Sequence, residues 1–205
     1  LTINELPEIT VQPVLQVVCL NGSASFSVNA GVTSNPTYQW RKGGTPIGGA
    51  TGSSYTIPSV LLTDAGSYDV VVSSSNAGCN TAVPSVAVTL TVNPLVSIGT
   101  QPLSQTVCET GPVSFSVVAA GTGPFTYQWR ENGVALVDGV VLGVTYAGST
   151  SNILNLTGAS LSVVNGKQYS VVVSGTCGVP VTSANAILTI NELPEITVQP
   201  VLQVV

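Results

Sequence analysis

Apolar and polar residues alternate with a period of two through much of this chain. Ala24, Phe26 and Val28 alternate with Ser25 and Ser27, and Tyr38 and Trp40 alternate with Gln39 and Arg41. Tyr68, Val70 and Val72 share one face of a further segment, as do Val86, Val88 and Leu90. Successive side chains of an extended strand point to opposite faces. The pattern therefore predicts half-buried antiparallel strands, among them one over 23–30 and one over 68–74. Residues that favour tight turns fall between them: Asn21-Gly22, Gly43-Gly44, Gly48-Gly49, Asp64-Ala65-Gly66 and Asn132-Gly133. No stretch sustains the 3.6-residue period of a helix. About seven short strands per ninety residues, with a turn every 8–12, predict an all-β chain built of β-sandwiches.

Residues 1–18 read LTINELPEITVQPVLQVV, and residues 188–205 read the same. An identical run at an offset of 187 residues predicts near-identical tandem units, of which this chain spans slightly more than one. A weaker duplication lies inside that period. Cys19, Ser25-Phe26-Ser27-Val28 and Tyr38-Gln39-Trp40-Arg41 recur 89 residues on as Cys108, Ser114-Phe115-Ser116-Val117 and Tyr127-Gln128-Trp129-Arg130. Tyr68 then answers to Tyr169, and Cys79 to Cys177. The second copy thus carries about twelve extra residues before Tyr169 and about three fewer after it. The expected organisation is the end of a preceding unit at 1–4, a short domain at 5–93 and a long domain at 94–191 with its insertion near 137–152. The first strand of the next unit would occupy 192–205.

Composition narrows the function. Charged residues are 6% of the chain and sum to −5, and the four basic ones are Arg41, Lys42, Arg130 and Lys167. So few cations cannot neutralise a phosphate backbone or an anionic lipid face, so neither nucleic acid nor a membrane surface is an expected partner. Apolar runs reach about six residues, too short to span a bilayer, so no membrane insertion is expected. Histidine is absent, which removes the commonest general base and metal ligand together. No Ser-His, Cys-His, paired-carboxylate or phosphate-loop arrangement is present. Neither catalysis nor a cofactor nor a metal is expected.

Val28, Trp40 and Asp64-Ala65-Gly66-Ser67-Tyr68 resemble the B strand, C strand and E–F turn of immunoglobulin-like domains, and Val117, Trp129 and Tyr169 repeat the pattern. The resemblance implies two tandem immunoglobulin-like β-sandwiches within a longer repeat array. Each tryptophan would sit in the core, and each tyrosine hydroxyl would tie the E–F turn. The cysteines that usually join strands B and F in that family are replaced by Val28 and Val70, and by Val117 and Val171. Val28, Trp40, Tyr68 and Val70, with Val117, Trp129, Tyr169 and Val171, are thus the expected core pins. The run Cys-x-x-Gly…Tyr-Gln-Trp…Gly-x-Tyr-x-Val…Cys is similar to repeats of very large Bacteroidota surface proteins of adhesion and gliding, exported by type IX secretion. The second copy departs from it: Lys167 replaces the glycine, and Gly111 follows Cys108 by three.

Cys19 and Cys108 precede strand B, whereas Cys79 and Cys177 follow strand F. One pair per domain reads as disulfides in an oxidising, extracellular setting. Two pairings stay open. Within domains, Cys19 would bond Cys79 and Cys108 would bond Cys177. In immunoglobulin topology, however, the A–B and F–G turns occupy opposite poles, roughly 20 Å apart at about 3.3 Å per residue. A disulfide needs Cα atoms within about 7 Å. With domains stacked end to end, Cys19 would instead meet Cys177 across the junction, and Cys79 and Cys108 would find partners in neighbouring units.

Other features read as structural. The tryptophans face inward, so core packing is expected over a sugar platform. Glu5, Glu8, Glu109, Glu192 and Glu195 lie near the junctions without the oxygen-rich cluster a calcium ion needs. Asp64 and Asn165 are expected to cap the E–F turns. Lys42 and Lys167 are expected to be exposed, which argues against a lysine–asparagine crosslink. In the insertion, Val141, Leu142 and Tyr146 form a candidate binding loop, set against a plain C′–D hairpin that widens the sheet. The expected function is a structural repeat of a long extracellular fibre or adhesin at the cell surface, a stalk that projects a distal tip. Its partners would be neighbouring repeats of its own chain. The alternative is a multivalent module whose repeats each contact a glycan, surface polymer or sister filament.

Overall fold

The computed structural model describes residues 5–76, 78 and 81–196, and the chain divides into two compact units, Leu1–Leu95 and Val96–Val205. The expected strand-end at 1–4 and most of the one at 192–205 lie outside the described residues; 192–196 form no strand.

The first unit contains β1 (Gln16–Cys19), β2 (Ala24–Ser27), β3 (Pro36–Lys42), β4 (Thr45–Pro46), β5 (Ser54–Ile57), β6 (Gly66–Ser74), β7 (Val83–Pro84) and β8 (Val88–Asn93), with a 3-10 turn at Leu62–Asp64 before β6. One sheet runs β1-β8-β6-β3-β4, with β7 also on β6; β2 and β5 form the other. β1 lies parallel to β8, Gln16 opposite Leu90 and Cys19 opposite Asn93, and the remaining pairs are antiparallel.

The second unit repeats this plan with β9 (Ser97–Thr100), β10 (Gln105–Cys108), β11 (Val113–Ser116), β12 (Val118–Ala120), β13 (Thr126–Glu131), β14 (Val134–Ala135), β15 (Gly139–Val141), β16 (Val144–Ala147), β17 (Ile153–Thr157), the one-turn helix α1 (Leu161–Val164), β18 (Gln168–Ser174), β19 (Val181–Thr182) and β20 (Ala186–Asn191). Its larger sheet runs β10-β20-β18-β13-β14, with β19 on β18; β11-β17-β16-β15 faces it, and β9 pairs with β12. β10 is parallel to β20, with Cys108 opposite Asn191.

Alternation explains the cores. Trp40 lies opposite Val70 and Trp129 opposite Val171 across the central strand pairs, and all four are fully buried. Phe26 stacks on Tyr68 at 5.0 Å, and Phe115 on Tyr169 at 4.8 Å. Such ring pairs contribute about 0.5–1.5 kcal/mol beyond the area they bury. Val28 and Val117 are buried beside them, so valines and aromatic rings fill the place of an inter-sheet disulfide. Each indole N–H donates to a backbone carbonyl, Trp40 to Gly52 at 3.0 Å and Trp129 to Ser151 at 2.9 Å. A buried donor is thereby satisfied in each unit.

Two strand expectations need correction. The segment 23–30 does not continue as one strand. Past Ser27 the backbone leaves β5 and turns to the N-terminal segment, and Asn29 bridges Val11. Val86 does not share the face of Leu90 but is exposed. Ser85 is the reason: its hydroxyl accepts the Val70 N–H at 3.0 Å and donates to the Val86 carbonyl, which parts β7 from β8. Ser183 does the same for Val171 and Ala184. Strand β6 and strand β18 thus each receive a side-chain acceptor at the residue where the family carries a cysteine.

Candidate functional site

Strand ends position the cysteines. Cys19 closes β1, and a turn follows in which Gly22 N–H donates to the Cys19 carbonyl at 2.9 Å and Leu20 N–H to the Asn93 carbonyl at 2.8 Å. Cys108 closes β10 in the same frame: Gly111 N–H donates to Cys108 at 3.0 Å, and Glu109 N–H to Asn191 at 2.9 Å. Cys177 lies past the other end of β18, buried, its carbonyl accepting the Val96 N–H at 2.8 Å. Cys19 and Cys177 are disulfide-bonded, whereas Cys108 is a free, exposed thiol. The pairing of Cys108 with Cys177 inside the long domain therefore does not form. The reason is length: β18 runs seven residues between the two ends of the unit, about 20 Å at ~3.3 Å per residue. Cys79 lies outside the described residues. Disulfide-bonded cysteines are typical of extracellular or secreted proteins.

The second unit carries a polar cluster that sequence reasoning missed. The Glu131 carboxylate, at the end of β13, accepts the Tyr146 hydroxyl at 2.8 Å, the Tyr169 hydroxyl at 2.7 Å and the Lys167 ammonium at 2.5 Å. Burial alone would raise the Glu131 carboxyl, but these three donors together outweigh it and hold it below the ordinary carboxylate range. Burial and the neighbouring carboxylate push the Tyr146 phenol up to about 12 and raise Tyr169 further. Three expectations change here. Tyr169 does not tie the turn before β18, as Tyr68 does by donating to the Asp64 carbonyl at 2.7 Å. Lys167 is paired and half-buried, not a free surface cation. Tyr146 is 3% exposed and belongs to the core, not to a binding loop. A signal was present: Glu131 stands where the first unit has Lys42, and Lys167 where it has Gly66, a paired exchange of charge. Lys42 instead donates to the Thr63 carbonyl at 2.5 Å and stands 5.7 Å from the Tyr68 ring centroid.

The turn caps also differ between the units. Asp64 accepts the Leu61 N–H at 2.8 Å and closes its turn as expected of a cap. Asn165 does not: its side-chain oxygen accepts the Ile190 N–H at 2.9 Å and ties the turn to β20. Arg41 forks onto Asp69 through Nε and a terminal nitrogen. Its counterpart Arg130 faces Ser170, and its Nε is buried with no hydrogen-bond partner.

The insertion forms the hairpin β15–β16, which pairs onto β17 and widens the smaller sheet. Leu142 and Gly143 make its two-residue turn, both at positive φ, 50° and 83°, the twist that matches a right-handed strand pair. Asp138 accepts the Gly148 and Ser149 N–H groups at 3.1 and 2.7 Å and clasps the base of the insertion. The Ser149 side chain first, and then these two N–H donors, hold the Asp138 carboxyl below its ordinary range. Val144 is buried, while Val141 and Leu142 are exposed, Leu142 at 81%. At the end of the unit Glu109, Glu192 and Glu195 line a shallow cleft with Leu193 and Pro194. Among the described residues no group of three or more metal-ligating side chains converges, and no helix is long and apolar enough to cross a membrane.

Known proteins resemble this architecture. Residues 7–74 match the immunoglobulin domain family. A decoration protein of Escherichia phage T5 is 42% identical over 76 residues, which is 37% of this chain and 44% of the phage protein; the chain thus spans less than half of that relative. A three-domain immunoglobulin fragment of titin superimposes with a TM-score of 0.68 at 16% identity, covering 93% of this chain and 67% of the fragment. The first two immunoglobulin domains of DIP-gamma do so with a TM-score of 0.64 at 12% identity, covering 92% and 99%. At such identities the likeness speaks for fold alone. Strand order, buried tryptophans and these similarities agree that the chain is all-β and carries two tandem immunoglobulin-like β-sandwiches.

Proposed function

We propose that this chain is a repeat segment of a long extracellular fibre or adhesin and acts as a stalk that holds a distal tip away from a cell surface. The observation that carries the reading is the state of the cysteines. Cys19 and Cys177 are disulfide-bonded while Cys108 is free. With four cysteines in the chain, Cys177 has Cys19 or Cys79 as partner, and only a Cys19–Cys177 bond leaves both residues satisfied. Such a bond staples one domain to the next, and a stapled joint bends less than a two-residue linker alone. Bonded joints would suit a spacer in which each unit touches only its neighbours.

The 18-residue run that recurs at an offset of 187 residues supports further joints of this kind in series. The resemblance of the cysteine-to-cysteine run to Bacteroidota surface repeats supports a bacterial surface for the fibre, and a phage decoration protein 42% identical over 76 residues is in keeping with a structural surface role. Neighbouring repeats are the first partners. The multivalent reading keeps one observation in its favour: Val141 and Leu142 project from the hairpin turn with little cover, and Leu142 holds a backbone conformation that disfavours leucine. The chain immobilised at rising density on a glycan array and on whole-cell surfaces separates the two. A spacer shows no retention at any density. Retention lost on replacing Val141 and Leu142 with alanine would overturn the spacer reading in favour of the binding module.

A further inference from the structure

The insertion that sets the second unit apart leaves a strand edge open. We infer that β15 is a lateral docking edge, which pairs antiparallel with β15 of a second copy of this chain. This contact goes beyond the spacer reading and does not depend on it.

β15 is the outermost strand of the sheet β11-β17-β16-β15, and among the described residues it has a partner strand on one side only. Its residues Gly139, Val140 and Val141 are all exposed. Leu142 and Gly143 make a two-residue turn, so Val141 and Val144 are the hydrogen-bonded pair that closes the hairpin. Bonded and non-bonded pairs alternate along an antiparallel ladder. Gly139 therefore also aims its backbone groups at β16, while the Val140 N–H and carbonyl point to the open side. Such an edge is a template for another strand unless something guards it.

Guards stand in the first unit and are missing here. The short strand β4 holds Pro46, and Pro58 directly follows β5; a proline offers no N–H to a neighbouring strand. The second unit has no proline between Pro124 and Pro180, and from Asn132 to Thr157 its single charged residue is Asp138. That carboxylate is engaged by the Gly148 and Ser149 N–H groups at the base of the insertion. The edge is also apolar: Val134, Val137, Val140 and Leu142 are each 68% exposed or more. Only residues 136–138 join β14 to β15, which holds the edges of the two sheets at most about 14 Å apart on one side of the unit.

Symmetry and charge select the occupant. With a two-fold axis at Val140, each copy donates its Val140 N–H to the other's Val140 carbonyl, so the edge complements itself. The two Val140 side chains become close cross-strand neighbours on the solvent face. Each Asp138 falls at the far end of the pairing, beside Leu142 of the other copy, and no like charges meet. A strongly charged partner would find no complement on this strip, whereas a second copy meets its own apolar surface. One short pairing is a weak contact; copies carried in arrays would add such contacts by avidity.

Sedimentation of the 205-residue chain over a concentration series tests this, with free thiols blocked by N-ethylmaleimide so that no disulfide dimer contributes. A reversible monomer–dimer equilibrium is expected. Val140→Lys puts a charge on the edge and is expected to weaken the dimer roughly tenfold or more. Thr157→Lys places the same charge on the same sheet two strands further in and is expected to leave the dimer unchanged. Exchange of the Val140 amide hydrogen is expected to slow as the concentration rises. A chain that stays monomeric throughout, or a dimer that Val140→Lys leaves intact, overturns the inference. Should Val140→Lys fail to fold by calorimetry, the wild-type amide decides: exchange independent of concentration overturns the inference. Loss of the lateral contact leaves the stalk reading as it stands.

Discussion

At the scale of single residues, each unit ties down the end of its core through the hydroxyl of one tyrosine, in different ways. In the first unit Tyr68 reaches a backbone carbonyl; in the second Glu131 gathers two phenols and a lysine. Glu131→Gln keeps the shape and removes the charge. It leaves Lys167 unpaired and is expected to cost about 1–3 kcal/mol by denaturant titration, as for hydrogen bonds to a charged group. Lys167→Ala should cost less, because its partner keeps both phenol donors. The pH dependence follows from the directions of the shifts. The Glu131 carboxyl is held below its ordinary 4.5 in the fold, so its contribution is present above that value and is lost as pH falls past it toward the folded one. The phenols behave oppositely. Tyr68 and Tyr146 are raised from 10 to about 12, so their contribution is whole below pH 10 and is lost as pH rises toward 12. Thermal unfolding followed across pH should show both flanks, and the acid flank should weaken in Glu131→Gln.

At the scale of elements, the two-residue period of Ala24, Phe26 and Val28 and the Tyr-Gln-Trp runs announced the sandwich, because burial on one face leaves a direct trace in sequence. The core pins were legible for the same reason. What stayed hidden depended on partners far apart in the chain. Nothing local to Tyr169 says that its hydroxyl meets Glu131, and nothing local to Asn165 says that it serves Ile190 and not its own turn. Tyr146 read as part of an exposed loop because the apolar run around it gave no phase. Once β16 pairs with β17, it and Val144 turn inward while Leu142 stays out. The hairpin offers its own test. Leu142→Asn places a residue that tolerates positive φ at the turn and should stabilise the second unit by roughly 0.5–1 kcal/mol. Gly148→Ala should do the reverse, because Gly148 sits at φ 85° and an added Cβ would collide with the Ile153 carbonyl. A calorimetric pair with both changes in the same direction would contradict this account of the hairpin.

At the scale of the whole molecule, the chain carries two immunoglobulin-like sandwiches, each with its own hydrophobic core. Trp40→Ala and Trp129→Ala should each cost about 3–5 kcal/mol as large-to-small core changes and should each unfold one sandwich, since each indole is pinned within its own unit. Under the proposed Cys19–Cys177 pairing, reduction should leave each core folded, because neither core depends on the bond. The most direct measurement is therefore a non-reducing peptide map of the oxidised 205-residue chain. A fragment joining Cys19 to Cys177 is the predicted result. A fragment joining Cys19 to Cys79 would contradict it and return the chain to self-contained domains on a free linker.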